Sequence, residues 1–368
     1  FAKLQSEWNV AKAGNQRFVI ILGEAGIGKT KFCERFVRLA VLHDARILRS
    51  RCYPAATQIP YGAIVDAILS GVTKRDILSL HPSWQEVISE LIPELSGDNR
   101  GVASHISRGE GARRRLFEGV AQLITEICRQ QPVVIFIDDF QWADDSTAAL
   151  INYIVRRVAG MPLLVLAAAR SEELASDSLL GRMLRTRDAD TSIVNIVLRG
   201  LAPEHARSLI DQVLRAYDLT LQPGVCEVIQ SQTAGVPFFI VETLRAIRDG
   251  EIVPDGAGAP ASHSAVLMPS SVEDVLKGRI HELSDDAIEV IYALSVLGNA
   301  VDVEAIQEVT GLSSDMILRG VAELGRKGFV KDEQSAIGLT HDLLREAAYR
   351  DIDAIRRRII HGRAARLL

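Results

Sequence analysis

A chain of 368 residues exceeds the size at which one hydrophobic core usually stops growing, so two to four domains are expected. With 48% hydrophobic and 24% charged residues the composition is ordinary for a globular protein, which excludes global disorder. A net charge of −5 gives no whole-chain electrostatic reason to expect nucleic acid or an anionic membrane as the main partner.

In chain order, short apolar runs at 18–22, 46–49, 133–137, 163–168 and 193–198 are separated by longer stretches, helical in pattern at 31–43, 113–129 and 146–158. Strands of a parallel sheet read this way, because crossover helices cover both faces. The pattern predicts an α/β domain with a parallel sheet that ends near Arg199. From Pro203 the strand signal vanishes, and helical periodicity over 204–217, 223–233 and 238–249 predicts a small helical domain. The next stretch, to Ala265, is rich in Gly, Ala, Pro and Ser without apolar period, and reads as a linker. Helices are then predicted at 270–281, 285–297, 302–310 and 314–327, followed by a hairpin over 329–339. Helices followed by a small β-ribbon suggest a winged helix, and a helical array could begin at Asp342.

The four cysteines, Cys33, Cys52, Cys128 and Cys226, lie far apart with no CxxC pair and read as reduced core residues of a cytoplasmic protein. The apolar stretches 132–137 and 161–169 fall far short of the roughly 20 residues that span a bilayer, so no membrane segment is expected. The chain opens on Phe1 and closes inside an Arg-rich amphipathic pattern, which suggests a piece of something longer.

The strongest chemical signal is Gly23-Glu24-Ala25-Gly26-Ile27-Gly28-Lys29-Thr30, a G-x-x-x-x-G-K-[ST] P-loop between a predicted strand and a predicted helix. The glycines let backbone N–H groups close around phosphate oxygens, and the helix N-terminus adds its positive dipole end. Lys29 is expected at the β- and γ-phosphates, Thr30 at Mg²⁺, and Lys31 completes the nucleotide-binding run. A second signal, Val133-Val134-Ile135-Phe136-Ile137-Asp138-Asp139, fits a Walker B strand that delivers two carboxylates to the sheet edge where ligands of open α/β sheets bind. Asp138 is expected to hold Mg²⁺, and Asp139 to orient or activate the attacking water. Asp139 is shorter than the Glu common in fast ATPases. Arg170 ends the next apolar strand and is placed to sense the γ-phosphate. Physics alone makes Gly235-Val236-Pro237-Phe238-Phe239 a rigid helix entry. Leu95-Ser96-Gly97-Asp98-Asn99 resembles the start of an ABC signature but lacks its second Gly and its Gln, and is assigned to a loop. No Asn-Lys-x-Asp motif occurs, so ATP/ADP is expected rather than a guanine nucleotide.

The P-loop, Asp138-Asp139-Phe140-Gln141-Trp142-Ala143-Asp144, Arg170, the 235–239 segment, Met268-Pro269-Ser270-Ser271-Val272 and the stretch from Thr340 to Tyr349 together resemble the STAND class of signal-transduction ATPases. More narrowly, they resemble the AAA-like ATPase module of large LuxR-type regulators and of ATPase-linked adenylate cyclases. The resemblance implies a P-loop NTPase domain over 1–200, a helical lid over 201–250, a linker at 251–265 and a winged-helix domain over 266–345. Residues 346–368 would start a TPR-like sensor array. It also implies that Arg170 is the sensor arginine, that Pro237 lies over the adenine or ribose, and that His341 touches the ADP β-phosphate. The matching Met-His-Asp signature belongs to related apoptotic and plant-immunity ATPases, and this chain has Thr340 in place of Met.

The expected function is a slowly hydrolysing ATP/ADP switch, with Mg²⁺, in a multidomain signalling protein that acts in transcription regulation. It would self-associate in the ATP state and be fused to sensor and effector domains. Two alternatives are a processive AAA-type motor and a DNA-binding module acting through the winged helix. A motor would want Glu beside Asp138 and an arginine finger, which the sequence does not locate. Arg356, Arg357, Arg358, Arg363 and Arg366 recur on helical faces and read as a solvated or inter-repeat surface, so direct nucleic-acid contact is not expected.

Overall fold

The apolar runs become β1 (Arg17–Gly23), β2 (Arg46–Arg51), β3 (Val133–Asp138), β4 (Leu163–Arg170) and β5 (Ile193–Val197) of one parallel sheet. In the computed structural model, described for residues 1–53, 60–96, 110–170, 193–253, 268–298, 301–333, 336–340 and 342–367, the strand order is β2-β3-β4-β1-β5. The chain divides into two compact units, Phe1–Gly23 with Gly28–Leu198, and Glu24–Ile27 with Arg199–Leu368.

In the first unit, alternate strand residues feed two separate cores. Phe18, Ile20, Ile135, Ile137 and Val165 face one side with buried residues of α3 (Gly62–Gly71), α7 (Glu110–Gln130) and α8 (Asp145–Arg157). Val19, Ile21, Val134, Phe136 and Leu164 face the other, with Leu4 and Trp8 of α1 (Ala2–Lys12) and Cys33 and Phe36 of α2 (Lys29–Val41). The side-chain period of two places successive residues on opposite faces, and here both faces are dry. Each large aliphatic or aromatic side chain so buried contributes on the order of 1.5–3 kcal/mol. Between α3 and α7 run α4 (Lys74–Leu78), α5 (Pro82–Leu91) and α6 (Pro93–Ser96). The loop expected at 95–99 therefore begins as the end of a short helix: Pro93 is suited to open a turn, and Ser96 closes it.

The second unit carries α9 (Pro203–Tyr217), α10 (Pro223–Gln232) and α11 (Pro237–Arg248) around Ala206, Ile210, Ile229, Ile240 and Leu244. It continues with α12 (Ser270–His281), α13 (Asp285–Leu297), α14 (Val303–Thr310) and α15 (Ser314–Arg326). Ser284, Asp302 and Ser313 accept first-turn N–H groups of α13, α14 and α15, as side-chain N-caps do. The predicted hairpin forms as antiparallel β6 (Val330–Glu333) and β7 (Ala336–Leu339), and Val301 adds a bridge to Ile337. Then come α16 (Asp342–Asp351) and α17 (Ala354–Ala364). His341 and most of the expected linker at 251–265 lie outside the described residues. Among the described residues no helix is long and apolar enough to cross a membrane. Cys33, Cys52, Cys128 and Cys226 are buried free thiols.

Candidate nucleotide site at the carboxyl edge of the sheet

Strand register decides what meets at this edge. Gly23 of β1 stands opposite Arg170 of β4, and Arg51 of β2 stands opposite Asp138 of β3. Because β4 lies between β1 and β3, the strand order reverses beside β1, where open α/β sheets leave a crevice for ligands.

Gly28 has φ 96° and caps the N-terminus of α2 in the left-handed region, which a residue without Cβ adopts at no steric cost. The first N–H groups of a helix lack intrahelical acceptors, and α2 has no side-chain cap there, an arrangement that favours an anion. Lys29 follows at 8% exposure, and its ammonium donates to the Gly23 carbonyl at the end of β1 at 2.8 Å. Lys31 is 84% exposed and pairs with Glu34 at 3.2 Å, which leaves its backbone rather than its charge for a phosphate. Within the second unit, the Phe238 N–H in the first turn of α11 donates to the Gly26 carbonyl at 3.2 Å. A Cβ at Gly26, where φ is +81°, would come within 2.8 Å of the Phe238 Cβ, so that position admits only glycine without movement. Pro237, at the first position of α11, precedes that contact. Glu24 accepts the Ile27 N–H at 3.4 Å, Ala25 lies between them, and Ile27 is buried.

Asp138 is 2% exposed, and its Oδ2 accepts the Thr30 hydroxyl at 2.9 Å across 108 residues of sequence. Burial pushes its carboxyl above the ordinary value and the Asp139 charge adds to this, while the Thr30 hydrogen bond opposes. A buried carboxylate beside a hydroxyl fits a divalent cation, whose charge would offset the desolvation that raises the acid. Among the described residues no group of three or more His, Cys, Asp or Glu could hold a metal. A cation held by Thr30 and Asp138 would need further oxygen ligands, which a phosphate and water would supply. Burial also pushes the Cys33 thiol up, with the Asp138 charge adding, so this cysteine is an inert core residue.

Asp139 adopts φ 52°, in the left-handed region, and opens a 3₁₀ turn over Phe140–Trp142. Its Oδ2 accepts from Arg51 Nε at 2.9 Å and Nη2 at 2.8 Å, and its Oδ1 from the Gln141 amide at 3.3 Å. The Gln141 carbonyl in turn accepts the Arg170 N–H at 3.1 Å, which joins β3 to β4 through one side chain. The Arg170 guanidinium lies 5.1 Å from the Trp142 ring centroid, within cation–π range. Asp144 is an N-cap: its Oδ1 accepts Ser146 and Thr147 N–H groups, both at 2.9 Å.

Lys29, Thr30, Asp138, Asp139 and Arg170 are thus gathered at one sheet edge from two strand ends and one helix start. Sequence reasoning missed Arg51 and gave Gln141 no role. The signal for Arg51 was its place at a strand end, but only the β2–β3 register turns it toward Asp139.

The AAA ATPase domain family matches residues 1–166. An uncharacterized protein of Rhizobium meliloti (strain 1021) is 23% identical over 379 residues, covering 97% of this chain and 35% of that protein, so the chain spans about a third of its relative's length. A Walker-type ATPase of Pyrococcus abyssi shares the fold, with TM-score 0.63 at 12% identity over 94% of this chain and 93% of that one. A STAND protein with a tetratricopeptide repeat sensor, from Pyrococcus horikoshii, aligns over 99% of this chain and 44% of that one at 14% identity, with TM-score 0.33.

Proposed function

Because the AAA ATPase domain family matches residues 1–166, we propose that the chain is the nucleotide-dependent switch module of a STAND-like signalling protein. It binds ATP or ADP with Mg²⁺ and hydrolyses ATP slowly. The observation that carries this reading is the hydrogen bond at 2.9 Å between Thr30, in the first turn after the P-loop, and Asp138, at the end of an apolar strand. It sets a hydroxyl and a buried carboxylate side by side where a phosphate-bound Mg²⁺ needs oxygen ligands.

Lys29 neutralises the β- and γ-phosphates, and the backbone N–H groups of 24–29 wrap them. Thr30 and Asp138 would hold Mg²⁺, which when bound would supply charge neutralisation and phosphate orientation. In hydrolysis the water oxygen bonds to the γ-phosphorus, the bond to the β–γ bridging oxygen breaks, and ADP departs. Asp139 receives the water proton, and Arg170 stabilises the γ-phosphate charge. A carboxylate whose Oδ2 already accepts two Arg51 nitrogens has fewer lone pairs left for the attacking water, which supports slow turnover over a motor's pace.

Pro237 is proposed to lie against the adenine or ribose, and His341 to touch the ADP β-phosphate. The helices α13 to α15, the β6–β7 hairpin and the Val301–Ile337 bridge support a winged-helix reading of this part of the chain. Fused sensor and effector domains, ATP-dependent self-association and a role in transcription belong to the same proposal.

Calorimetric titration with ATP and ADP, with and without Mg²⁺, tests the assignment: micromolar or tighter binding that improves with Mg²⁺ is expected, and no binding of either nucleotide would refute it. Turnover separates switch from motor, since a motor runs at about 1 per second or faster. In Asp139→Asn, binding should persist and hydrolysis should slow.

A further inference from the structure

We propose that the cavity between α5, α7 and α8 is a second binding site, and that it takes a phosphomonoester carrying an aromatic body. None of its residues belongs to the nucleotide site, so the inference stands apart from the reading above.

The cavity, about 560 Å³, is lined by Trp84 of α5, by Arg114, Arg115 and Glu118 of α7, and by Tyr153 and Arg157 of α8. That volume lies within the range of small-molecule sites, about 300–1,000 Å³, and is more than a bare ion fills. Helical spacing assembles the walls. Positions 111, 114, 115 and 118 of α7 recur at three and four residues, and 153 and 157 of α8 stand one turn apart, so each helix turns a single face to the opening. At the first turn of α7 the mouth is open, since a Cβ on Gly111 would meet nothing within 4 Å, and the positive end of the helix dipole lies there.

Most of the positive charge on these walls is not spent on the fold. Arg157 is the exception: its Nε and Nη2 donate to Glu118 at 3.0 and 2.9 Å, and Glu118 also accepts the Tyr153 hydroxyl at 2.6 Å. This fixes one guanidinium on the wall and neutralises the carboxylate beside it. The Arg115 side chain is 58% exposed and reaches Glu86, itself 74% exposed, at 3.7 Å, a contact that holds weakly. Arg114 is exposed and, among the described residues, makes no hydrogen bond or ion pair. The charges of Arg114 and Arg115 therefore face the cavity largely uncompensated, a match for the roughly −1.5 to −2 of a phosphomonoester at neutral pH.

Adjacent residues of a helix diverge by about 100°, so Arg114 and Arg115 approach from different directions, and Arg157 approaches from a second helix. A tetrahedral group can accept from all three, whereas a planar carboxylate accepts along one plane. Trp84 and Tyr153, both half-buried, supply an aromatic wall that favours a planar body beside the phosphate. Arg113, the first arginine of the same run, lies 5.2 Å from the Phe117 ring centroid and off the cavity wall, which makes it an internal control.

The test is a calorimetric titration at fixed salt with 1-naphthyl phosphate, inorganic phosphate, 1-naphthoate and hexaglutamate. Naphthyl phosphate should bind one to one and at least about tenfold more tightly than the other three, because only it combines a dianionic tetrahedral group with an aromatic body. Arg114→Gln and Arg115→Gln should each weaken it by about tenfold or more, the worth of a hydrogen bond between charged groups. Arg113→Gln should change affinity by less than about threefold, the effect of a nearby surface charge. Lys29→Ala should bind the probe as the parent does. The proposal is overturned by a lack of saturable naphthyl phosphate binding, or by tighter binding of naphthoate or of hexaglutamate, which would mark a carboxylate or acidic-peptide surface. A loss in Arg113→Gln equal to that in Arg114→Gln would reduce the site to diffuse attraction, and a loss in Lys29→Ala alone would place the probe at the P-loop. Because the substituted arginines are exposed, the variants should melt with the parent. Should Arg115→Gln melt early, Arg114→Gln decides.

Discussion

Charged side chains are used in two ways in this molecule. At the sheet edge, Lys29, Arg51, Asp138 and Asp139 meet from distant positions, and three of the four are nearly or fully buried. In the second unit, arginines of α17 close nearby carbonyls instead. Arg363 donates to Val309 and Thr310 at 3.0 and 2.8 Å, and Arg357 to Tyr349 and Ile352 at 3.1 and 2.9 Å, while Arg356 pairs with Glu289. A cation bonded to helix-end carbonyls satisfies acceptors that would otherwise lack partners, which is a structural task. A buried carboxylate with a hydroxyl and an ammonium near a phosphate-binding turn has no such local debt to settle, and its cost implies chemistry. The arginine run read from sequence as a solvated or inter-repeat surface is thus largely engaged within its own unit, which weighs against the DNA-binding reading.

The contrast can be broken at either end. The largest effect is expected for Lys29→Ala, which should weaken ATP and ADP binding by roughly 10- to 100-fold, the worth of a hydrogen bond to a charged group. Melting temperature should be unchanged, and equal affinity in calorimetry would remove the P-loop lysine from the site. Next, Asp138→Asn should abolish the gain that Mg²⁺ confers on nucleotide affinity, on the order of tenfold; a Mg²⁺ effect of parental size in the variant would place the metal elsewhere.

Arg363→Ala, at the structural end, should cost about 1 to 2 kcal/mol in urea denaturation and leave nucleotide affinity as it was. If affinity falls with stability, the two uses of charge are not separable. The smallest effect concerns Glu118 of α7. Its bonds to Arg157 above all, then to Tyr153 and Gln122, pull its carboxyl from 4.5 down to about 2 despite partial burial. A depressed carboxyl contributes stability that is present above the unfolded value and lost as pH falls through the folded one, here between about 4.5 and about 2. Since the Arg157 side chain is 54% exposed, solvent screening reduces that contribution to about 1 kcal/mol. Glu118→Gln should lower stability at pH 7 by that amount and converge with the parent near pH 2; parallel acid-denaturation curves would show that Glu118 titrates normally.

The sequence made the sheet readable because β1, β3 and β4 are dry on both faces, so the apolar runs have no polar interruptions. Helices of the second unit were readable for the opposite reason, one wet face and one dry. The region 62–96 escaped reading. There α3 is apolar over most of its circumference and bounded by Gly62 and Gly71, and α4 to α6 are short and opened or broken by Pro82 and Pro93. Helix α1 lacks a clean apolar stripe, and only Leu4, Trp8 and Ala11 reach the core. At the site, residue types with local spacing were legible: Lys29, Thr30, Asp138 and Asp139. Arg51 and Gln141 were not, because their roles depend on which strands are neighbours and how far each runs before it ends, and neither leaves a period in the sequence.

The left-handed backbone at Asp139 bears on how this site could change over evolutionary time. Among non-glycine residues, Asp and Asn tolerate that region best, since their short side chains bond locally, whereas Glu gains nothing from it. Replacing Asp139 by Glu, a change reachable by one nucleotide, would lengthen the carboxylate toward a motor's geometry while straining the turn over Phe140–Trp142 and abandoning the Gln141 bond. If turnover is slow as proposed, fast hydrolysis lies more than one accepted mutation away. On that reading a lineage that keeps this turn keeps a slow clock, and descendants that became motors rebuilt the 3₁₀ turn before, or together with, the acid.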